Sequence, residues 1–110
     1  MTPLEFAEKY NLKVVTPGDG TRVIKGAYCG DLLSWVMGRA KEDDAFVTVM
    51  ANVNTIAVAV LADVACVILC EGAHFDEMSI KRAEQQEVCI LESEEPAFQV
   101  ALKLGRELGL

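Results

Sequence analysis

Residues able to carry chemistry are sparse in this chain, and their spacing limits what that chemistry is. The only histidine, His74, stands beside "FDE" in a turn-rich stretch, with no partner in sequence to orient it as a general base. It reads as a solvated loop residue. Four cysteines occur, Cys29, Cys66, Cys70 and Cys89, and none form a C-x-x-C pair. Cys66 and Cys70 on one strand would lie about 13 Å apart, too far to share a zinc ion. The expectation is buried cysteines acting as small apolar side chains, with a metal or redox role as the alternative. The run Glu92, Glu94, Glu95 reads as the acidic start of a helix rather than a metal site. No G-x-x-x-x-G-K-[ST] loop, no G-x-G-x-x-G after a strand and no G-x-S-x-G elbow is present. The reading is therefore a non-enzyme, without metal or cofactor.

A binding pattern does stand out. Glycine and asparagine gather where apolar strands give way to helices. "GAYCGD" places Gly26 and Gly30 around Tyr28, with Asp31 following. "ANVN" holds Asn52 and Asn54, and "CEGAHFD" holds Glu71 and Gly72. Glycine lets backbone approach a ligand, asparagine can read an amide or base edge, and Tyr28 can stack. In open α/β sheets ligands settle beyond the carboxyl ends of parallel strands. Plain strand-to-helix turns favour the same residue types, so the pattern allows both readings.

The elements that must position these residues follow from periodicity and punctuation. "MTPLEFAEKYN" carries a capping box, Thr2 with Glu5, and Pro3 in the first turn. "LKVVT" and "TRVIKGAY" read as strands around a "PGDG" turn, so they are expected to form an antiparallel hairpin or to lie close together. "GDLLSWVMGRA" has helical spacing after Gly30-Asp31, an entry and cap, and "AFVTVM" reads as a strand. The long apolar run "IAVAVLADVACVILC" is too short to span a membrane and carries Asp63. It divides near Asp63 into a helix, capped by Asn54 or Thr55, and a buried strand. "FDEMSIKRAEQQE" is an amphipathic helix capped by Asp76, "VCIL" a strand, and "ESEEPAFQVALKLGREL" a closing helix capped near Ser93. From about Arg22 strands and helices alternate. That predicts a three-layer α/β/α fold with a mostly parallel, about five-stranded sheet, as one domain over residues 1–110.

Composition sets further bounds. Formal net charge is -7, with 52% hydrophobic and 25% charged residues. Nucleic acid and anionic membrane surfaces need a basic face, so neither is an expected partner. The N-terminus lacks the apolar core of a signal peptide, and the chain reads as cytoplasmic. The predicted helix "TIAVAVLADV" is apolar on all sides. A surface helix needs a polar face, so something must cover this one. A second copy of the same helix is the simplest cover, with Ala57, Ala59, Val60 and Ala62 at the seam of a homodimer. The rival is a terminal helix folding over it within one chain.

Taken as a whole, "GAYCGDLLSWVMGRAKEDDAFVTV", "NTIAVAVLADVACVILCEG", the helix opening "FDE" and the closing "AFQVALKL" resemble the DRTGG domain family. The resemblance runs through nearly all of the chain after about Leu12 and is strongest at "GDLLSWVM" and "NTIAVAVLADVACVIL". The string that names the family is absent. Gly26, Gly30, Asp31 and Asn54 match its recurring turn residues. The family's fold is similar to the N-terminal domain of the HPr kinase/phosphorylase, whose phosphoryl transfer belongs to a separate P-loop domain. Larger proteins place the domain beside CBS domains in pyrophosphatases and ahead of phosphate acetyltransferase domains. The resemblance thus implies a regulatory, dimer-forming module of bacterial type, with an adenine nucleotide or other small anionic ligand and a larger enzyme as partner. Alternatives are a pure interaction subunit, or an accessory protein related to HPr serine kinase without its own kinase domain.

Overall fold

The computed structural model describes residues 1–110. The elements run α1 (Pro3–Tyr10), β1 (Lys13–Thr16), β2 (Gly26–Cys29), α2 (Leu33–Arg39), β3 (Asp44–Thr48), α3 (Val53–Ala62), β4 (Cys66–Leu69), α4 (Glu77–Gln85), β5 (Ile90–Glu92) and α5 (Ala97–Glu107). One sheet of five strands has the order β1-β5-β4-β3-β2. Strands β2 to β5 are parallel, and β1 pairs antiparallel with β5. The three-layer, mostly parallel architecture expected from the sequence is borne out.

Local signals explain most boundaries. Thr2 and Glu5 form the reciprocal capping box at α1. Asp63 closes α3 in the left-handed region, at φ 56°, so the apolar run breaks where the sequence places its one charge. Asp76 caps α4 by accepting from the Ser79 amide. Three expected caps differ. Asn52, not Asn54 or Thr55, caps α3. Asp31 does not cap α2, and Ser93 lies ahead of a helix that starts only after Pro96.

The expected hairpin of β1 and β2 does not form, because those strands occupy opposite edges of the sheet. The reason lies in residues 17–25. Gly18, at φ 45°, passes so close to the chain before β5 that a Cβ there would meet the Cys89 nitrogen and Val88 carbon at 2.5 Å. The segment then crosses under the amino ends of the strands. Asp19 donates to the Glu87 carbonyl, and all five donors of the Arg22 guanidinium are used on Asp43, Asp63 and the Asp63 and Val64 carbonyls. Residues 21–25 thereby become a crossing rather than a strand.

Side chains alternate along each strand and fill two cores. Val36, Phe46, Ile56, Ala59, Val67, Leu69, Phe75, Ala83 and Ile90 form one, under α2, α3 and α4. Phe6, Val47, Cys66, Ile68, Cys70, Cys89, Leu91, Val100 and Leu104 form the other, under α1 and α5.

Candidate functional site

The direction of the chain at the carboxyl ends of the strands decides where a site can open. The loops after β2, β3 and β4 all lead to helices on one face. The loop after β5 leads to α5 on the other face. Neighbouring loops therefore part between β4 and β5, and an open α/β sheet forms its ligand crevice at such a parting. A crevice of about 460 Å³ lies there, lined by Tyr10, Asn11, Lys13, Gly72, His74 and the run Glu92, Ser93, Glu94, Glu95. Its base is tied by backbone. Glu71 and Gly72 are consecutive left-handed residues, at φ 62° and 74°. Their amides donate to the carbonyls of Glu95 and Ser93 at 2.9 and 3.0 Å.

The polar core of the crevice is a pair. Glu92, at the last position of β5, is only 8% exposed, and its Oε1 lies 2.8 Å from His74 Nδ1. A carboxylate only accepts, so Nδ1 carries the hydrogen; Nε2 is an acceptor in the neutral ring and a donor in the protonated one. Lys13 faces Glu92 across the antiparallel ladder. Lys103 is taken by Glu95, and the Tyr10 hydroxyl is taken by Glu107, to which it donates at 2.6 Å. Lys13 is thus the lining cation without an ion pair, against three lining carboxylates. No group of three or more His, Cys, Asp or Glu side chains is arranged to hold a metal ion.

With this geometry in hand, comparison with known proteins identifies the chain. The profile of the DRTGG domain matches residues 29–106, well over half of the sequence. The chain belongs to the DRTGG domain family. A search over curated proteins by sequence returns no match. Among solved structures, the crystal structure of the CBS and DRTGG domains of the regulatory region of Clostridium perfringens pyrophosphatase, complexed with the activator diadenosine tetraphosphate, is similar in fold. Its TM-score is 0.78 at 12% identity, over 94% of this chain and 46% of that one. The present chain therefore spans less than half of that regulatory region.

Of the residues singled out by sequence, this DRTGG domain brings two to the crevice: Gly72 lines it and Glu71 shapes the turn beneath. The others serve elsewhere. Gly26 begins β2, at the amino end of the sheet, where a Cβ would meet Asp44 Oδ1 at 2.6 Å. Tyr28 is half-buried against the α2–α4 core. Gly30 lies over the Tyr28 ring and donates to the Val47 carbonyl. Asp31 accepts from Thr48 Oγ1 at 2.7 Å and from the Val49 amide at 3.0 Å, tying the ends of β2 and β3 together. Asn52 is spent as a helix cap, and Asn54 lines a groove between α3 and α4. Sequence reasoning assigned His74 to a solvated loop and Glu92 to a helix start. His74 does lie in a loop with its side chain 61% exposed, but it pairs there with Glu92, which is buried in a strand. Lys13 carried no signal, because only the order of the sheet brings it to Glu92.

The α3 helix is covered on one side only. Ala59 is 2% exposed and packs in the core, and Ala62 is half-buried. Ala57 and Val60 face outward with Val53 and Leu61, along a groove of about 390 Å³ rimmed by Arg82 and Gln86. Neither terminal helix covers this side, because α1 and α5 lie on the opposite face of the sheet. Trp35 and Leu32 of the neighbouring α2 region are also exposed, with the Arg39 guanidinium 3.9 Å from the Trp35 ring. All four cysteines are free thiols, and burial pushes Cys70 and Cys89 up to about 12. No helix is long and apolar enough to cross a membrane.

Proposed function

We propose that this DRTGG domain is a homodimeric regulatory module without catalytic activity of its own, and that a nucleotide-type ligand occupies the crevice between the β4 and β5 loops. The observation that carries the reading is the parting of the two loops over a buried carboxylate. Support comes from the pyrophosphatase region of similar fold, which was crystallised with a dinucleotide activator. The sequence argues against phosphoryl transfer, since it lacks a phosphate-cradling loop. Titration of labelled protein with adenine nucleotides tests the reading. Amide shifts are expected at 71–74 and 92–95, with a raised melting temperature, since a ligand held only by the folded state stabilises it. Shifts centred on Gly30, Asn52 and Asn54 would move the site to the β2 and β3 junctions.

The outward side of α3 favours a second role alongside the first, that of a dimer seam. Four outward residues of α3 carry no charge, and small Ala57 stands between larger Val53 and Val60. Across a two-fold axis that pattern is self-complementary. Ala57→Glu is expected to convert a dimer into a folded monomer in sedimentation at tens of micromolar. Ala59→Glu would instead damage the core. A monomeric parent protein, or a dimer unaffected by Ala57→Glu, removes α3 from the seam.

A further inference from the structure

We infer that the crevice takes the hydrogen-bond-donating end of its ligand, the ribose hydroxyls and base amine of a nucleoside, and leaves any phosphate in solvent. This rests on the crevice being the ligand site. Three carboxylates line it against one unpaired lysine, with the Asn11 amide and the Ser93 hydroxyl as neutral donors. Glu92 is more than nine-tenths buried, and His74 engages one of its oxygens; Oε2 has no hydrogen-bonding partner within the chain and keeps contact with solvent. The Nε2 atom of His74 is a further acceptor in the neutral ring. Glu94 adds a carboxylate whose Oε2 lies 2.6 Å from where a Cβ on Gly72 would stand.

Several donors that a phosphate could use are already committed. The left-handed pair Glu71–Gly72 resembles an anion-binding turn, but both amides point at the Glu95 and Ser93 carbonyls. The Glu95 amide is held by Ser93 Oγ at 3.0 Å, and the Lys103 ammonium by Glu95. Exposed Lys13 is the remaining cation against Glu92, Glu94 and Glu95. A phosphate buried there would meet like charge at short range in a medium of reduced dielectric. Hydroxyl and amine hydrogens meet free acceptors. The volume of about 460 Å³ falls in the range of small-molecule sites.

Calorimetric and NMR titrations of the unmodified protein with adenosine, AMP, ATP and inorganic tripolyphosphate test this. Adenosine, AMP and ATP are expected to bind within about threefold of one another, with amide shifts at 72–74 and 92–95, and tripolyphosphate is expected not to displace adenosine. Glu92→Gln, which replaces one acceptor oxygen by a donor, is expected to weaken adenosine at least tenfold at an unchanged melting midpoint. Binding that tightens tenfold or more from adenosine to ATP overturns the inference, as does displacement by tripolyphosphate or tighter adenosine binding by Glu92→Gln. Nucleotide shifts confined to other parts of the chain overturn it while leaving the regulatory reading standing. Absence of any shift with all four probes removes both.

Discussion

The two ends of the sheet are built from the same materials and finished differently. At the amino end Arg22 meets Asp43 and Asp63, and every guanidinium hydrogen has an acceptor. At the carboxyl end Glu92 meets His74, and one oxygen is left over. Saturation closes the first end, because a polar group with all partners inside the chain has nothing to offer outside. The second end keeps an acceptor with no partner inside the chain but with access to solvent, so it is free to meet a donor from outside. Acid–base pairs alone do not mark a site; the unfilled valence of such a pair does.

That contrast breaks most easily at Gly18. Gly18→Ala combines a left-handed backbone with a Cβ driven into the chain before β5, and is expected to cost about 3 kcal/mol in urea unfolding. A tolerated alanine would show that the crossing is loosely held. Arg22→Ala comes next, at about 2 kcal/mol, since several charge-assisted hydrogen bonds go but the side chain is about a quarter exposed. The same variant sharpens the pH response. Arg22 holds the Asp43 carboxyl below its ordinary value of 3.8, so the folded chain binds that proton less readily than the unfolded chain does. The resulting stability is complete above about pH 4 and is lost as pH falls through the lowered value. Arg22→Ala should therefore flatten the acid limb of stability against pH; an unchanged limb would exclude the pair as its source. Glu92→Gln stands at the small end. It keeps shape, removes a buried charge, and is expected to change stability by no more than about 0.5 kcal/mol. A loss as large as that of Arg22→Ala would make both ends structural.

Local chemistry was legible in the sequence and long-range placement was not. Thr2 with Glu5, Asp63 after an apolar helix and Asp76 before an amphipathic one mark boundaries within a few residues of themselves. The β-branched run at Val14 and Val15 says strand, yet carries nothing about which strand lies beside it. Gly18 decides that, through a close approach to Glu87–Cys89 that has no signature in a single sequence. The site divides along the same line. Glu71 and Gly72 were found from turn chemistry. His74, Glu92 and Lys13 were missed as a set, because they meet only once β5 lies between β4 and β1. Apolar periodicity showed that α3 has no polar face, but not that Ala59 points inward and Ala57 outward.

The position of β1 also sets an order of events for a growing chain. Strands β2, β3, β4 and β5 each pair with a strand close behind or ahead in sequence, so that ladder can extend as the chain lengthens. Strand β1 pairs only with β5, the last strand to appear, and Tyr10 meets Glu107 across a separation of 97 residues. Closing so long a loop adds an entropic barrier that neighbouring pairings do not face. Phe6 and Ala7, made before any strand of this sheet, stay without it until β5 is made. On the ribosome the crevice is therefore finished last, because its wall at Lys13 arrives only when the first segment docks on the final strand.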